Sequence, residues 1–320
     1  MRTLGIDTSN YTCSVAVYDD ESETITMKKQ LLSIPKGTVG LRQSQAVFEQ
    51  VRLLGQQMTA LFQEISGPID AVGASVRPRT VEGSYMPCFL VGKMAAEVLS
   101  AVIACPMTSF SHQQGHLAAA LYSAGKLDWL FGETHTFYAF HLSGGTTECL
   151  RVTAGNGNIL EIERLGGSLD LHVGQVIDRV GQKLGLPFPA GPELEKLAET
   201  CSQEALRAFH MVIPNKGCDC CLSGLENLCE KQRLNGKPPE EIARFCFDYI
   251  CRSIESMLQN VFAIYGKQPV LFAGGVSGNK FLQEYLKERY DSVFAKPEFS
   301  SDNAAGIAVL TCLGERNASL

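Results

Sequence analysis

The chain has 320 residues, of which 45% are hydrophobic and 19% charged, with a formal net charge of −6. This length suits two domains at roughly 100–200 residues each, and the composition is that of a folded globular protein. The acidic balance excludes a broad basic surface, so any contact with nucleic acid would need a local basic patch.

The cysteine content and the hydropathy pattern predict the cellular compartment of the protein. Twelve cysteines, with no signal-peptide pattern at the start, favour free or metal-bound thiols in a reducing environment, and we expect a cytoplasmic protein without membrane contact. The most apolar stretch, residues 88–105, contains Lys93 and Glu97. Its apolar residues recur at helical spacing: Phe89, Leu90, Val91, Met94, Val98, Leu99 and Val102. The pattern predicts a core helix rather than a membrane span.

The first half of the chain alternates strand, loop and helix. In order we predict three strands, a helix, a strand and a helix, at residues 4–9, 12–18, 24–27, 44–65, 69–76 and 88–104. The apolar face of the first helix is predicted to contain Val47, Val51, Leu54, Met58, Leu61 and Phe62. This alternation indicates an α/β fold.

A second cycle of the same kind begins at Thr136. Strands are predicted at 137–142, 149–152, 158–162 and 269–273, and helices at 173–184, 193–200, 239–265, from 280 and at 302–310. Two copies of a strand, a Gly/Ser-rich turn and a strand indicate a duplicated fold. We place the first domain at residues 1–125 with about 300–320, and the second at residues 126–299.

Two histidines four residues apart, His112 and His116, are the most informative local feature. On a helix, side chains at i and i+4 share one face, so both imidazoles could reach one transition metal at about 2.0–2.2 Å. The alternative is a solvated or hydrogen-bonded pair at a helix start. Gln113 follows the first histidine, where a zinc protease has Glu, and an amide cannot act as a general base. Asp302 is a candidate third ligand and, equally, a good helix N-cap.

Three glycine-rich turns follow predicted strands, at residues 143–147, 189–192 and 274–279. Glycine lets backbone N–H groups approach an anion, so the turns favour a nucleotide cleft, with ordinary tight turns as the alternative. Neither the P-loop pattern nor the Rossmann glycine pattern is present, which disfavours those two classes. We expect a bulky residue at Gly145 or Gly275 to collide with the ligand or to suffer strain from a positive φ.

Acidic residues and a cysteine cluster remain open. Asp7, Asp170 and Asp178 could each hold a metal or a ribose hydroxyl, or serve as caps and surface charges. Residues 218–221 contain three cysteines in the order C-x-C-C, which matches no common zinc spacing. Structural thiols are the first interpretation, and a further metal or redox site is the alternative.

Several short motifs occur together in one order along nearly the whole chain. They lie at Asp7–Ser9, Val91–Gly92, His112/His116, Ser143–Gly145, Asp178–Pro192, Ser223–Leu225, Gly274–Lys280 and Asp302–Ala305. Taken together, the chain resembles the tRNA threonylcarbamoyladenosine (t6A) transferase family. That family comprises the bacterial D subunit and its archaeal and eukaryotic counterparts, formerly described as O-sialoglycoprotein endopeptidases or glycoproteases.

The resemblance implies two actin-like (ASKHA, ribonuclease H-like) α/β domains with an interdomain cleft. It also implies one iron or zinc ion on His112, His116 and Asp302, with His141 a further candidate because relatives place a Tyr ligand there. An adenine nucleotide, ATP or an acyl-adenylate, would be bound by Ser143, Gly144, Gly145, Thr146, Asp178, Gly191, Gly274, Gly275 and Asn279. The implied reaction transfers a threonylcarbamoyl group from its adenylate to the exocyclic amine of the adenosine next to the anticodon. The implied partners are tRNA and the proteins of the transferase complex.

Departures from the family pattern predict a divergent paralogue. The acidic pair that the family usually has in its first loop is replaced by Tyr11 and Thr12. Glu226 stands where the family often has Lys. In the same way, Gln175 replaces a Glu, Arg179 a Lys and Thr146 a His. These changes predict weak or absent transfer to standard tRNA. The alternatives are a non-catalytic nucleotide-binding paralogue, a transferase with a different acyl or carbamoyl acceptor and, last, a metalloprotease.

Overall fold

The computed structural model describes residues 1–33, 41–130, 135–155, 160–202, 211–214, 216–299 and 304–318. The chain divides into two compact units. The first comprises Met1–His135, Thr153–Glu161 and Glu298–Leu320, and the second comprises Thr136–Val152 and Ile162–Pro297. The candidate ligand Asp302 lies outside the described residues, as do residues 158–159 of one predicted strand.

The first unit is built on a five-stranded sheet. Its strands are β1 (Arg2–Thr8), β2 (Thr12–Asp19), β3 (Thr24–Leu31), β4 (Ala71–Arg77) and β5 (Met107–Ser111), in the order β3-β2-β1-β4-β5. The first three strands pair antiparallel, and β4 is parallel to both β1 and β5. The helices are α1 (Gln43–Glu64), α2 (Phe89–Ile103) and α3 (His112–Ser123). The predicted meander, helices and α/β class are confirmed, whereas the short strand β5 was not predicted because five residues carry little periodicity.

The C-terminal helix α9 (Ala304–Ala318) packs on the first sheet. A Cβ added at Gly5 of β1 would collide with the backbone of Ala304 and Ala308, and one at Gly306 would collide with the backbone of Gly115 in α3. The backbone of α9 can lie this close to β1 and α3 only because Gly5 and Gly306 have no side chains.

Two of the predicted apolar helix faces are only partly buried, which corrects the sequence analysis. In α2, Phe89 and Val91 are buried, but Leu90, Met94, Val98 and Val102 are exposed. In α1, Leu54 and Leu61 are buried, whereas Val51 and Phe62, predicted on the same face, are exposed. Apolar residues therefore occupy more than the core-facing side of each helix, and periodicity alone does not separate the two sides.

The second unit repeats the strand order of the first. Its strands are β6 (His135–Leu142), β7 (Thr147–Ala154), β8 (Leu160–Gly167), β9 (Val270–Ala273) and β10 (Ser292–Phe294), in the order β10-β9-β6-β7-β8. Its helices are α4 (Val173–Lys183), α5 (Gly191–Glu199), α6 (Ser223–Leu234), α7 (Pro239–Tyr265) and α8 (Lys280–Lys287). In both sheets the first strand is central, flanked by the second and fourth, so the predicted duplication is confirmed. Helix α6 and strand β10 were not predicted.

Helix α7 forms the centre of the second core. It spans 27 residues and buries thirteen of them, among them Phe247, Ile250 and Leu258. Within the described part of the chain, no helix is both long enough and apolar enough to cross a membrane.

Candidate functional site

The two predicted metal-binding histidines lie on the first turns of α3. Ser111 caps this helix: its hydroxyl accepts from the Gln114 N–H at 3.2 Å, and the Gln114 side chain accepts from the Ser111 N–H at 2.7 Å. This capping box fixes the helix start at His112. The rings of His112 and His116 lie with their centroids 4.6 Å apart, so the i, i+4 spacing does place them side by side.

A buried carboxylate orients the first histidine. Asp7, on β1, is fully buried, and its Oδ1 lies 3.0 Å from His112 Nδ1 and accepts a hydrogen bond from the Ser75 hydroxyl. The Oδ2 atom of Asp7 is buried without a hydrogen-bond partner among the described residues. A carboxylate at Nδ1 favours the tautomer in which Nδ1 carries the proton and Nε2 presents its lone pair. No pattern in the sequence predicted this pairing of Asp7 with His112.

Two buried thiols lie near Asp7. Burial, with a smaller contribution from the Asp7 charge, raises the pKa of Cys13 to about 12 and that of Cys88 to about 11. Both thiols therefore stay protonated at neutral pH, and neither is a thiolate ligand or nucleophile in this state. The ring of Phe89 lies 5.7 Å from that of His112 and covers part of the imidazole.

The described residues contain no group of three or more His, Cys, Asp or Glu side chains arranged to hold a metal ion. Asp302 lies outside the described residues, and the further candidate His141 lies on β6 in the second unit. Among the described residues of the first unit, two imidazoles and one orienting carboxylate lie together, and imidazole is a ligand that both zinc and iron accept.

The second unit contains a cavity of about 430 Å³. Its walls comprise backbone, apolar side chains and two carboxylates: Gly144, Gly174, Ile177, Asp178, Pro189, Gly191, Pro192, Glu195, Phe247, Gly275, Val276, Gly278 and Asn279. A mostly apolar cavity with a few convergent polar groups is the usual form of a small-molecule site. Five residues predicted to bind nucleotide line it: Gly144, Asp178, Gly191, Gly275 and Asn279.

The turn between β6 and β7 forms one wall. It is closed by a hydrogen bond from Ser143 N–H to the Thr146 carbonyl at 2.8 Å, and the Ser143 carbonyl accepts from Gly174 N–H, at the start of α4, at 3.2 Å. A Cβ on Gly174 would collide with the backbone of Ser143 and Gly144. The turn therefore lies directly against the N-terminus of α4, whose first N–H groups, of Val173 and Gly174, donate to the Thr147 hydroxyl and the Ser143 carbonyl. Ser143, Gly145 and Thr146 shape this turn without lining the cavity.

The opposite wall is held by side-chain hydrogen bonds. Asn279 caps α8 by accepting from the Leu282 N–H at 3.1 Å and donates to Glu195 Oε2 at 2.8 Å. Glu195 Oε1 also accepts from the Lys280 N–H at 3.1 Å. The Asn279 amide, predicted as a nucleotide contact, thus also organises the wall of the cavity. On the α4 side, Asp178 Oδ1 accepts from the Ala190 N–H at 2.8 Å.

The two glycines after β9 have different roles. Gly274 has φ of +94°, and a Cβ there would collide with the Leu142 carbonyl of β6. The packing of β9 against β6 therefore requires glycine at position 274 by itself, and contact of Gly274 with a nucleotide stays a prediction. Gly275 lines the cavity and has open space beside it. Neither Gly275 nor Gly145 has a positive φ. The prediction of backbone strain at these two positions is therefore wrong, and the predicted collision of a bulky side chain with a ligand stays a prediction.

The cavity residues that the sequence analysis missed come from three places in the chain. Ile177 is on α4, Glu195 is on α5 and Phe247 is on the long helix α7. Phe247 stacks on Phe281 at 5.6 Å and forms part of the cavity wall. A carboxylate one turn beyond the Gly-Pro start of α5 is a weak signal for Glu195. The sequence offers no signal for Phe247, because its periodicity is that of an ordinary core residue.

Two departures from the family pattern have local compensations. Gln175 Oε1 accepts from the His172 N–H at 3.0 Å at the start of α4. Glu226 of α6 pairs with Arg179 at 3.1 Å and Lys183 at 2.9 Å, both on α4. Burial would raise the pKa of Glu226, but the hydrogen bonds from Lys183 and Arg179 outweigh it and lower that pKa. The charge of Glu226 is thus neutralised locally.

Asp170 and the cysteine cluster serve the start of α6. Asp170 accepts from the N–H of Leu222 at 2.7 Å and from the hydroxyl of Ser223 at 2.5 Å. Burial opposes these bonds, yet they lower the pKa of Asp170 below its usual value. The backbone N–H of Cys220 donates to the Gly167 carbonyl at 3.0 Å, and Cys218, Cys220 and Cys221 are all free thiols. These contacts give Asp170 and residues 218–221 a structural role next to the start of α6.

Comparison with known proteins identifies the family. The profile of the tRNA N6-adenosine threonylcarbamoyltransferases matches residues 59–309, more than half of the chain. The chain is 28% identical over 316 residues to the tRNA N6-adenosine threonylcarbamoyltransferase of Methanopyrus kandleri, covering 96% of this chain and 86% of that relative.

Solved structures with much lower identity share the fold. They include HypF of T. kodakarensis, with a TM-score of 0.58 and 13% identity over 99% of this chain and 48% of that one. The activator of 2-hydroxyisocaproyl-CoA dehydratase from Clostridium difficile has a TM-score of 0.51 and 13% identity over 100% of this chain and 96% of that one. A ROK family glucokinase from Streptomyces griseus has a TM-score of 0.50 and 11% identity over 99% of this chain and 100% of that one. The chain has the two-domain actin-like fold, belongs to the tRNA N6-adenosine threonylcarbamoyltransferase family and is a transferase.

Proposed function

We propose that the cavity of the second unit binds an adenine nucleotide as part of a threonylcarbamoyl transfer reaction. The proposal rests on one observation: five of the residues that the family resemblance assigns to nucleotide binding line a single cavity of about 430 Å³. Ile177, Phe247 and Val276 offer apolar surface for a base, and Asp178 and Glu195 offer carboxylates for ribose hydroxyls. Gly144, in the β6–β7 turn, lines the cavity and lets a phosphate approach the backbone closely.

Two of the structural neighbours support this proposal by what they bind. The dehydratase activator contains bound ADPNP, and the Streptomyces glucokinase is in complex with AMPPNP and glucose. Both ligands are adenine nucleotides. The same fold in this chain favours the same class of ligand.

Calorimetry tests the nucleotide proposal. Gly275→Val introduces a side chain into the cavity without backbone strain, and we expect it to weaken ATP binding at least about 10-fold, equivalent to about 1.4 kcal/mol. Gly224→Val on α6 is the matched control, because it too has open space and no positive φ. Equal ATP affinity in the wild type and Gly275→Val would reject this location.

For the first unit, we propose that His112 and His116 bind one iron or zinc ion, with Asp302 as the third ligand and His141 as a further candidate. Asp7 would hold His112 in the tautomer that presents Nε2. A bound metal would supply Lewis-acid polarisation of the phosphate or carbonyl of the adenylate. The double variant His112→Ala, His116→Ala should lose the metal measured by elemental analysis; unchanged metal content would refute the assignment.

For the reaction itself, we propose transfer of a threonylcarbamoyl group from its adenylate to the N6 amine of the adenosine next to the anticodon, at a reduced rate. The reduction follows from the neutral Tyr11 and Thr12 in the first loop, since two missing carboxylates change the local potential and proton transfer. Glu226 contributes less, because Arg179 and Lys183 neutralise it.

The assay combines the protein, threonylcarbamoyl-adenylate, tRNA and the partner proteins of the family, and measures modified adenosine by mass spectrometry. The His112→Ala, His116→Ala variant is the control for background transfer. We expect turnover above that control and below that of a family member with the acidic pair. Turnover equal to such a member would refute the reduction, and no turnover above the control would favour a different acceptor or a non-catalytic role.

A further inference from the structure

The second unit contains a further cavity, of about 360 Å³, which we call the amino-edge cavity. Its lining includes Pro269, directly before β9, and Asp291, directly before β10. These two strands run parallel, and the Asp291 carbonyl accepts from the Val270 N–H at 2.9 Å. The cavity therefore lies at the edge of the sheet where both strands begin.

The amino-edge cavity is separate from the proposed nucleotide cavity. Gly275, which lines the nucleotide cavity, follows the end of β9, whereas Pro269 precedes its start. The four residues of β9 span about 13 Å, at roughly 3.3 Å per residue. Ligands of α/β sheets ordinarily bind at the carboxyl ends of the strands, so a cavity at the amino ends is not accounted for by the nucleotide proposal.

Two aromatic rings form one wall of the amino-edge cavity. The centroids of Phe262, on α7, and Tyr290, after α8, lie 5.9 Å apart, with the rings edge to face. The Phe262 ring also lies 5.9 Å from that of Tyr138, whose hydroxyl donates to the Gly266 carbonyl at 2.9 Å. The Tyr290 hydroxyl donates to Glu255 Oε1 at 2.9 Å. These contacts hold both rings in place, so the wall is formed before any ligand binds.

The guanidinium of Arg289 also lines the cavity, but its charge is already balanced. Its Nε lies 4.0 Å from Glu255 Oε1, and its Nη1 lies 3.5 Å from Glu288 Oε2. Nη1 also donates to the Tyr285 carbonyl at 2.7 Å. Arg289 therefore belongs to a network of the protein itself and leaves little net charge for a ligand.

Two further charged side chains of the cavity have no such partners. Lys267 and Asp291 are both exposed and both line the cavity. Neither side chain forms an ion pair or a hydrogen bond with any residue that the structure describes, including the other one. The cavity thus offers one ammonium and one carboxylate that do not neutralise each other. A ligand with a single charge would pair with one of them, whereas a zwitterion would pair with both.

We propose that the amino-edge cavity binds a free α-amino acid with an aromatic side chain. The carboxylate of the ligand pairs with Lys267, its ammonium group pairs with Asp291, and its ring packs against Phe262 and Tyr290, as aromatic rings do in offset or edge-to-face pairs. Only the free amino acid carries both charges on one carbon, since a peptide bond removes one of them. A volume of about 360 Å³ is near the lower end of the roughly 300–1,000 Å³ of small-molecule sites and suits one amino acid.

Saturation-transfer difference NMR on the full chain tests the proposal with three ligands. L-phenylalanine is compared with 3-phenylpropanoate, which lacks the ammonium group, and with 2-phenylethylamine, which lacks the carboxylate. We expect L-phenylalanine to bind with a dissociation constant of about 0.1–1 mM. Each analogue should bind about 5-fold more weakly, because each loses one ion pair at a partly exposed site.

Two variants assign the charges. Lys267→Ala should weaken L-phenylalanine about 5-fold and leave 2-phenylethylamine unchanged, because the amine has no carboxylate to lose. Asp291→Ala should weaken L-phenylalanine by the same factor and leave 3-phenylpropanoate unchanged. The matched controls are Lys231→Ala on α6 and Asp128→Ala in the first unit, since both residues are exposed and neither lines the cavity. Circular dichroism checks that every variant folds.

Four results would overturn the proposal. The first is the absence of L-phenylalanine binding up to about 10 mM. The second is tighter binding of 3-phenylpropanoate than of L-phenylalanine, which would assign the cavity to organic anions. The third is wild-type affinity for L-phenylalanine in both Lys267→Ala and Asp291→Ala. The fourth is loss of L-phenylalanine binding in Gly275→Val, which would place the amino acid in the nucleotide cavity instead.

Discussion

The turn that follows the first strand of each sheet has a different construction in the two units. In the first unit, Gln50 of α1 is fully buried and donates to the carbonyls of Ser9 at 2.5 Å and Thr12 at 2.9 Å. The turn between β1 and β2 is thus filled by a side chain. In the second unit, the equivalent turn contains Gly144 and Gly145, which have open space beside them.

This difference shows how one strand order supports two kinds of site. In the first unit the proposed site consists of side chains: the buried Asp7 lies against His112, and Gln50 of α1 closes the neighbouring turn. In the second unit the turn leaves its backbone open beside a cavity of about 430 Å³. A buried carboxylate suits the orientation of an ion ligand, whereas an open glycine backbone suits the binding of an anion. The predictions below test this contrast.

The largest difference in stability should appear when one glycine in each unit is replaced by alanine. Gly5→Ala places a Cβ against the backbone of α9, which cannot move without shifting the helix, and should lower the free energy of unfolding by about 1–3 kcal/mol. Gly275→Ala meets nothing and should stay within about 0.5 kcal/mol. Urea unfolding followed by circular dichroism measures both. Equal destabilisation would contradict the contrast between a closed and an open unit.

The next effect concerns Asp7 and assumes the proposed metal site. Asp7→Asn removes the charge that orients His112 and should weaken zinc binding about 10–100-fold, as loss of such outer partners generally does. Calorimetric titration with zinc provides the measurement. Asp178→Asn, the same change in the second unit, is the control and should leave zinc affinity unchanged. Loss of zinc binding in both variants, or in neither, would refute the role of Asp7.

A smaller effect is expected at the cavity wall. Asn279→Ala removes the N-cap of α8 and the hydrogen bond to Glu195, and should cost about 1 kcal/mol of stability. Asn279→Ser retains a capping hydroxyl and should cost less. Thermal unfolding monitored at neutral pH compares the two variants. If Ser and Ala were equally destabilising, the cap would not be what holds this wall.

The smallest effect depends on pH. Hydrogen bonds outweigh burial and lower the pKa of Asp170 in the folded state, so its carboxylate stabilises the protein at neutral pH. This contribution is lost as the pH falls through and below about 4, where the unfolded chain binds the proton. Asp170→Asn should therefore have a lower melting temperature than the wild type at neutral pH, with the gap closing in acid. A gap that does not change with pH would show that the charge of Asp170 contributes nothing.

Local patterns in the sequence determined much of the fold and one half of the site. The position of His112 and His116 on one helix face follows from four-residue spacing and from the Ser111 and Gln114 capping box, which involve neighbours only. The duplication follows from two similar runs of strand, turn and strand. These features depend on backbone geometry over a few residues, so the sequence is sufficient to predict them.

Tertiary structure alone decided which distant groups meet. Asp7 reaches His112 across 105 positions, and Glu195 reaches Asn279 across 84, with no periodic signal to connect them. It also decided which side of α1 and α2 is covered. Leu90 and Val91 are equally apolar and adjacent in sequence, yet one is exposed and the other buried. Periodicity gives the faces of a helix, but only the packing of the whole unit determines which of those faces the protein covers.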